Sequence, residues 1–119
     1  MFDFLKPKDG SVNARKVATD FATTGQITLD QVKSIADAGY KTIICARPDN
    51  EEPGQPSFAA VADAAKAAGL QIAYIPVSGQ IGQGQVIRFR DAWEKMPKPM
   101  LGYCRSGARA GSLYQTLSR

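Results

Sequence analysis

Thr42-Ile43-Ile44-Cys45-Ala46 is apolar at nearly every position. A strand with one wet face alternates polar and apolar residues, so an unbroken run of this length marks a strand covered on both faces in a parallel sheet. That constrains the whole chain, because consecutive parallel strands must be joined by crossovers, usually helices.

The sequence supplies those crossovers on both sides of the run. Residues 21–27 carry the β-branched and glycine signals of a short strand and turn. Thr28 then caps a helix through Ala38 with Leu29, Val32, Ile35 and Ala36 on one face and Gly39 as its stop. After the apolar run, residues 47–56 hold Pro48, Pro53, Gly54 and Pro56 and read as an irregular loop. Ser57 caps an alanine-rich helix over 58–68, Gly69 closes it, and residues 70–75 return as a third strand. A Gly-rich loop, 76–84, leads into a helix over 85–96 that buries Val86, Phe89 and Trp93, and Pro97 and Pro99 end it. The last strand, 100–103, delivers Cys104. The expectation is an α/β fold of three layers, a mainly parallel sheet of four to five strands with helices on both faces. Residues 1–16 read as a loosely ordered lead-in to a single domain over 17–119, with no repeat or linker.

In such sheets ligands bind beyond the carboxyl ends of the strands. Cys104, Arg47 and the 76–84 loop all follow strands and should meet at one edge. The stretch Cys104-Arg105-Ser106-Gly107-Ala108-Arg109-Ala110 breaks a strand at a cysteine, passes through small residues and resumes as a helix. Backbone N–H groups then ring the thiol with the helix dipole behind them, an anion cradle with a nucleophile at its base. Cys104 and Arg109 are the candidate catalytic pair, the arginine turning its planar fork back toward an anion above the sulfur. Arg105, Ser106, Gly107, Ala108 and Ala110 would line the cradle, with Arg105 pointing outward and Ser106 favouring the thiolate by a hydrogen bond. Tyr103 supports the loop from the strand. Arg47 either binds the anionic end of a donor or pairs with Asp49, Glu51 or Glu52. Gln26 is polarity in a turn close to the cradle, and Cys45, inside an apolar strand, is core.

The chain of 119 residues contains no histidine. That removes Ser-His-Asp hydrolysis, Cys-His proteolysis and His-based metal sites, and leaves oriented amides, a helix N-terminus and cations to generate a thiolate. Two cysteines far apart supply neither a thiolate metal cage nor a disulfide framework, so no metal or cofactor is expected and a reducing compartment is. Residues 1–8 lack the apolar core of a signal peptide, and no apolar run approaches membrane length, which together read as a cytoplasmic protein without membrane contact. A net charge of +4 is scattered along the chain, which argues against nucleic acid and fits a small anionic substrate.

The order Gly25-Gln26-Ile27, Ile43-Ile44-Cys45-Ala46-Arg47-Pro48-Asp49-Asn50-Glu51, Tyr74-Ile75-Pro76-Val77, then Tyr103-Cys104-Arg105-Ser106-Gly107-Ala108-Arg109 resembles the phosphatase-like domain of the bacterial beta-lactamase hydrolase-like proteins, the DUF442 group. The resemblance runs from about residue 17 to the end. It implies a fold like that of small dual-specificity and protein-tyrosine phosphatases. It also implies a functional link to persulfide dioxygenases or sulfide-oxidising enzymes, to which some members are fused, and an assignment as rhodanese-type sulfurtransferases.

Two activities therefore compete. Cysteine phosphatases place five residues between nucleophile and arginine, whereas Arg105, Ser106, Gly107 and Ala108 are the only residues between Cys104 and Arg109, a spacing seen in many rhodaneses. Phosphate-ester cleavage normally needs an Asp to protonate the leaving group, and residues 76–90 hold no Asp or Glu. Asp91 lies within the next helix as surface charge, and Asp49, Glu51 and Glu52 are left to approach as acids from another loop. Sulfur transfer needs less acid, because sulfite leaves thiosulfate as a stable anion. On this reading the chain is a sulfurtransferase that moves sulfane sulfur from a small anionic donor, thiosulfate or a persulfide, to a thiol acceptor such as glutathione through a Cys104 persulfide. The alternatives are a phosphatase acting through a phosphocysteine and a non-catalytic anion-binding module.

Overall fold

Ile43 and Ile44 are both fully buried, in two different apolar clusters on opposite faces of one sheet. The apolar run Thr42–Ala46 thus contains a central strand. A computed structural model of the chain describes residues 12–118. In chain order its elements are β1 (Arg15–Ala18), β2 (Phe21–Thr24), α1 (Leu29–Asp37), β3 (Thr42–Cys45), α2 (Phe58–Ala67), β4 (Gln71–Tyr74), α3 (Gln83–Lys95), β5 (Met100–Tyr103) and α4 (Ala108–Gln115), closed by a 3₁₀ turn over Thr116–Ser118.

The strands form one five-stranded sheet in the order β1-β2-β5-β3-β4. β2, β5, β3 and β4 run parallel, with Ile43 opposite Leu101 and Ile72, and β1 is an antiparallel edge. Val32, Ile35, Val61 and Ala65 from α1 and α2 cover one face, meeting Ala22, Ile43 and Leu101 of the sheet. Phe89, Ala110 and Leu113 from α3 and α4 cover the other, meeting Phe21, Ile44 and Met100. The expected α/β fold of three layers is the one observed.

Local chemistry sets the helix starts. Ser57 Oγ accepts from the Ala60 N–H at 3.1 Å, and the Gln31 side chain accepts from the Thr28 N–H at 2.9 Å, both standard relief for orphan helical donors. α3 begins at Gln83, two residues before the sequence reading, because the Gln85 side chain reaches back to the Gly82 N–H at 2.8 Å. Trp93 is only partly buried, and Ala92 takes the core position.

The N-terminal boundary also moves. Arg15 and Lys16, assigned to the lead-in, belong to β1, which pairs with β2 and carries a register shift between Lys16 and Ala18. Residues 1–11 of that lead-in lie outside the described residues.

α4 packs against β5 at Gly102. A Cβ there would fall 2.8 Å from Phe21 Cζ and 3.0 Å from Ala110 Cβ, so only glycine admits this approach. The close contact fixes the helix whose first turn holds Arg109.

Candidate active site

β5 ends at Tyr103, and Cys104 begins the turn into α4. The Gly107 N–H donates to Cys104 Sγ at 3.0 Å, which is charge-assisted when the sulfur is a thiolate. Gly107 sits at φ 98°, left-handed backbone that glycine adopts without strain, and this turn folds the amide back onto the sulfur. Cys104 has no exposed surface, so a donor's transferable group must enter the loop to meet it.

The loop is pinned from β2. The Gln26 N–H donates to the Arg105 carbonyl at 3.4 Å, and the Cys104 N–H to that of Thr24 at 3.4 Å. Gly25 makes the approach feasible, since a Cβ on it would lie 2.8 Å from the Arg105 oxygen.

Arg109 turns back over the loop as the sequence suggests. Its Nη1 donates to Glu51 Oε2 at 2.7 Å and to the Val77 carbonyl at 2.8 Å, and its Nη2 donates to Glu51 Oε1 at 2.9 Å. A guanidinium has five N–H donors. Those three contacts leave Nε and one Nη2 proton, the side edge of the fork, for another anion. Arg109 also interacts with Cys104, and the hydrogen bonds to Glu51 first, then the sulfur, raise its pKa further. Glu51 is reciprocally held low, at about 2, chiefly by the hydrogen bonds from Arg109 and next by those from Arg47, which outweigh its desolvation.

Arg47 resolves toward the structural alternative. Its side chain is 2% exposed, with Nε on Glu51 Oε1 at 2.9 Å, Nη2 on Glu52 Oε1 at 2.7 Å and Nη1 on Gln26 Oε1 at 2.9 Å. Burial alone would lower its pKa; Glu52 and then Glu51 outweigh that and raise it. Glu52 Oε2 meets Arg105 at 3.3 Å, so the chain Arg105–Glu52–Arg47–Glu51–Arg109 staples both cradle arginines to the loop after β3. Asp49 is not among the partners of Arg47: its Oδ1 accepts from the Phe58 N–H at 2.7 Å and caps α2.

Three assignments change. Arg47 does not line the cradle but anchors the two glutamates. Ala110 is fully buried against Gly102 and the core, so its side chain packs the helix rather than lining the cradle. Ser106 Oγ accepts from the Ala108 N–H at 3.3 Å and relieves the first turn of α4; the sulfur's donor is Gly107. Arg105 does point outward, as expected, and is exposed. Gln26 joins the turn to Arg47, and Tyr103 is buried on the other face beside Cys45. Glu51 is the residue sequence reading undervalued; its place on an arginine 58 residues away has no local signal.

A cleft of about 370 Å³ opens beside Arg109 along Val77, Gly79, Gln80, Ile81 and Ser112, so the Gly-rich loop joins the site as expected. A larger one of about 1070 Å³ runs between β1 and α4 past Ser106 and Gly107. Among the described residues no group of three or more His, Cys, Asp or Glu is arranged to hold a metal ion, and no helix is long and apolar enough to cross a membrane.

The similarities to known proteins agree with this geometry. Beta-lactamase hydrolase-like proteins from Agrobacterium fabrum and Xylella fastidiosa are 36% identical over 104 residues and 39% identical over 94 residues. Those matches cover 87% and 78% of this chain, which spans only 24% and 22% of the relatives' lengths. A Neisseria meningitidis protein solved as a candidate phosphatase superposes with a TM-score of 0.76 at 34% identity, over 90% of this chain and 75% of its own. The core catalytic domain of the PP-IP phosphatase Siw14 from Saccharomyces cerevisiae, with a TM-score of 0.62 at 20% identity over 85% of this chain and 61% of its own, shares the fold. The sheet, the cysteine loop and these likenesses converge, and a match of residues 13–118 to the family described as "Beta-lactamase hydrolase-like protein, phosphatase-like domain" shows that the chain belongs to it.

Proposed function

We propose that this domain is a cysteine-dependent phosphatase-type hydrolase that takes a phosphoryl group onto Cys104. The observation that carries the reading is the Gly107 N–H on Cys104 Sγ at 3.0 Å, at the start of α4, with Arg109 turned back over the loop onto Glu51 and the Val77 carbonyl. The family and the Neisseria likeness support the phosphatase class better than sulfur transfer, which the loop spacing and the acid-free segment 76–90 favour.

In the first step the Cys104 thiolate attacks phosphorus, the S–P bond forms, and the bond to the leaving group breaks with its electron pair on the departing atom. The loop amides and the free edge of Arg109 hold the non-bridging oxygens, where negative charge is concentrated. Water then attacks phosphorus, the S–P bond breaks, and the thiolate returns as phosphate departs.

A second reading remains because four residues, not five, separate Cys104 from Arg109: sulfane sulfur transfer to a thiol through a Cys104 persulfide, with a shared link to sulfide-oxidising enzymes. Intact-mass measurement separates the two. Phosphatase action predicts Cys104-dependent hydrolysis of an aryl phosphate with a transient phosphate adduct. Sulfur transfer predicts one added sulfur after thiosulfate, removed by glutathione, and no hydrolysis. Anion binding with neither reaction leaves only a binding module.

A further inference from the structure

We propose that the site acts only on donors whose leaving group departs as a stable anion, because among the described residues each carboxylate of the loop beside the cradle is already committed to an arginine or a backbone amide. This rests on the Cys104 group-transfer reading above and narrows its substrate class. Acyl phosphates, phosphoanhydrides and acidic aryl phosphates qualify; alkyl phosphate esters do not.

The carboxylates of the loop after β3 are the ones positioned to serve as an acid. Both oxygens of Glu51 lie on Arg109, and Oε1 is shared with Arg47. Both oxygens of Glu52 lie on arginines, Oε1 on Arg47 and Oε2 on Arg105. Asp49 Oδ1 is taken by the first amide of α2. The arginines hold Glu51 and Glu52 below the usual carboxylate range, so both remain anionic where an acid must be protonated.

Asp91, Tyr74 and Tyr103 are committed elsewhere. Asp91 pairs with Lys95 at 2.8 Å on the outer face of α3. Tyr74 receives the Asp49 N–H at 3.0 Å, and Tyr103 is buried beside Cys45. Without a proton to give, the pair of electrons left by the broken bond must be stable on the leaving atom itself. The S–P bond forms at Cys104, the donor's P–O bond breaks, and the leaving oxygen departs unprotonated.

A leaving-group series tests this on the full chain. A positioned general acid contributes about 10²–10⁴-fold and flattens the dependence on leaving-group acidity. We expect kcat/KM to fall at least about 10²-fold from dinitrophenyl through nitrophenyl to phenyl phosphate. A smaller fall overturns the proposal. Glu51→Gln is expected to change all three rates by one common factor; a selective loss on phenyl phosphate would identify Glu51 as the acid and overturn it too. If dinitrophenyl phosphate is not cleaved but thiosulfate adds a sulfur to Cys104 and releases sulfite, the phosphatase reading fails and the leaving-group rule stands. If neither donor reacts at Cys104, both fail.

Discussion

Cys45 ends β3 and Cys104 directly follows the end of the neighbouring parallel β5: Cys45 lies opposite Tyr103, and Cys104 comes next. Both are buried, 2% and 0% exposed, and both thiols are free. The pleat sends them to opposite faces, Cys45 into the core under α1 and α2 and Cys104 toward α3 and α4. What separates their chemistry is the chain that follows. Ala46-Arg47-Pro48 leads away, and the Cys45 S–H donates to the Arg47 carbonyl at 3.4 Å while burial pushes its pKa up. Arg105 to Arg109 instead fold back, aim the Gly107 amide at Cys104 and bring the Arg109 guanidinium within electrostatic reach of it. Depth does not make a cysteine a nucleophile; donors directed at the sulfur do.

The largest effect should come from exchanging the two thiols for hydroxyls. Cys104→Ser is expected to abolish the covalent adduct and reduce turnover to background. Cys45→Ser should retain turnover and lose about 1–3 kcal/mol of stability, from placing a hydroxyl in an apolar site. Adduct mass and thermal melting check both, and an active Cys104→Ser protein would erase the contrast.

Gly25→Ala should come next. It touches neither cysteine, but its Cβ would lie 2.8 Å from the Arg105 oxygen and push the Cys104 loop alone. Displacing reacting groups by about 1 Å costs up to ~10²-fold in rate. Activity should fall on that order with the circular dichroism spectrum unchanged, and full activity would show that the loop yields freely.

The same contrast explains what could be read from sequence. The central strands were legible because burial on both faces leaves an apolar run. α1 and α2 were legible because Thr28, Ser57, Gly39 and Gly69 mark their ends. β1 was missed since Arg15, Lys16 and Val17 are exposed on an edge that pairs on one side only, so neither signal exists there. Cys104 and Arg109 are legible because six consecutive positions carry the whole device. The place of Ala110 is not legible because its neighbour is set by the packing of α4 on Gly102, and for Glu51 the partner four residues back, Arg47, is legible while Arg109, 58 residues on, is not.

Arg47 ties the two cysteines together, its carbonyl on Cys45 and its side chain on the glutamates that hold Arg109 and Arg105. Arg47→Met leaves the glutamates without their common anchor. Breaking a buried pair costs about 3–5 kcal/mol, and partial exposure of the glutamates reduces that to about 2 kcal/mol here. A Tm loss on the order of 10 °C is expected. The more telling readout is KM, which should rise as Arg109 loses its fixed orientation; a stability loss with KM unchanged would confine Arg47 to the Cys45 side.

The smallest effect is in the acid limb of stability. Glu51 titrates at about 2 in the folded chain against an ordinary 4.5, so the unfolded chain binds its proton more readily. The stabilisation is complete above about pH 4.5, falls as acid is added and is gone below about pH 2. Glu52 is lowered in the same direction, chiefly by the hydrogen bond from Arg47 and then by Arg105. Tm measured against pH should therefore show Glu51→Gln less stable than the parent near neutrality, with the gap closing as pH falls through that window. Cys45 has no such dependence, because apolar packing around it does not titrate there. If the gap stays constant with pH, the Glu51 carboxylate acts through its shape alone, and the clasp that distinguishes the Cys104 side is not electrostatic.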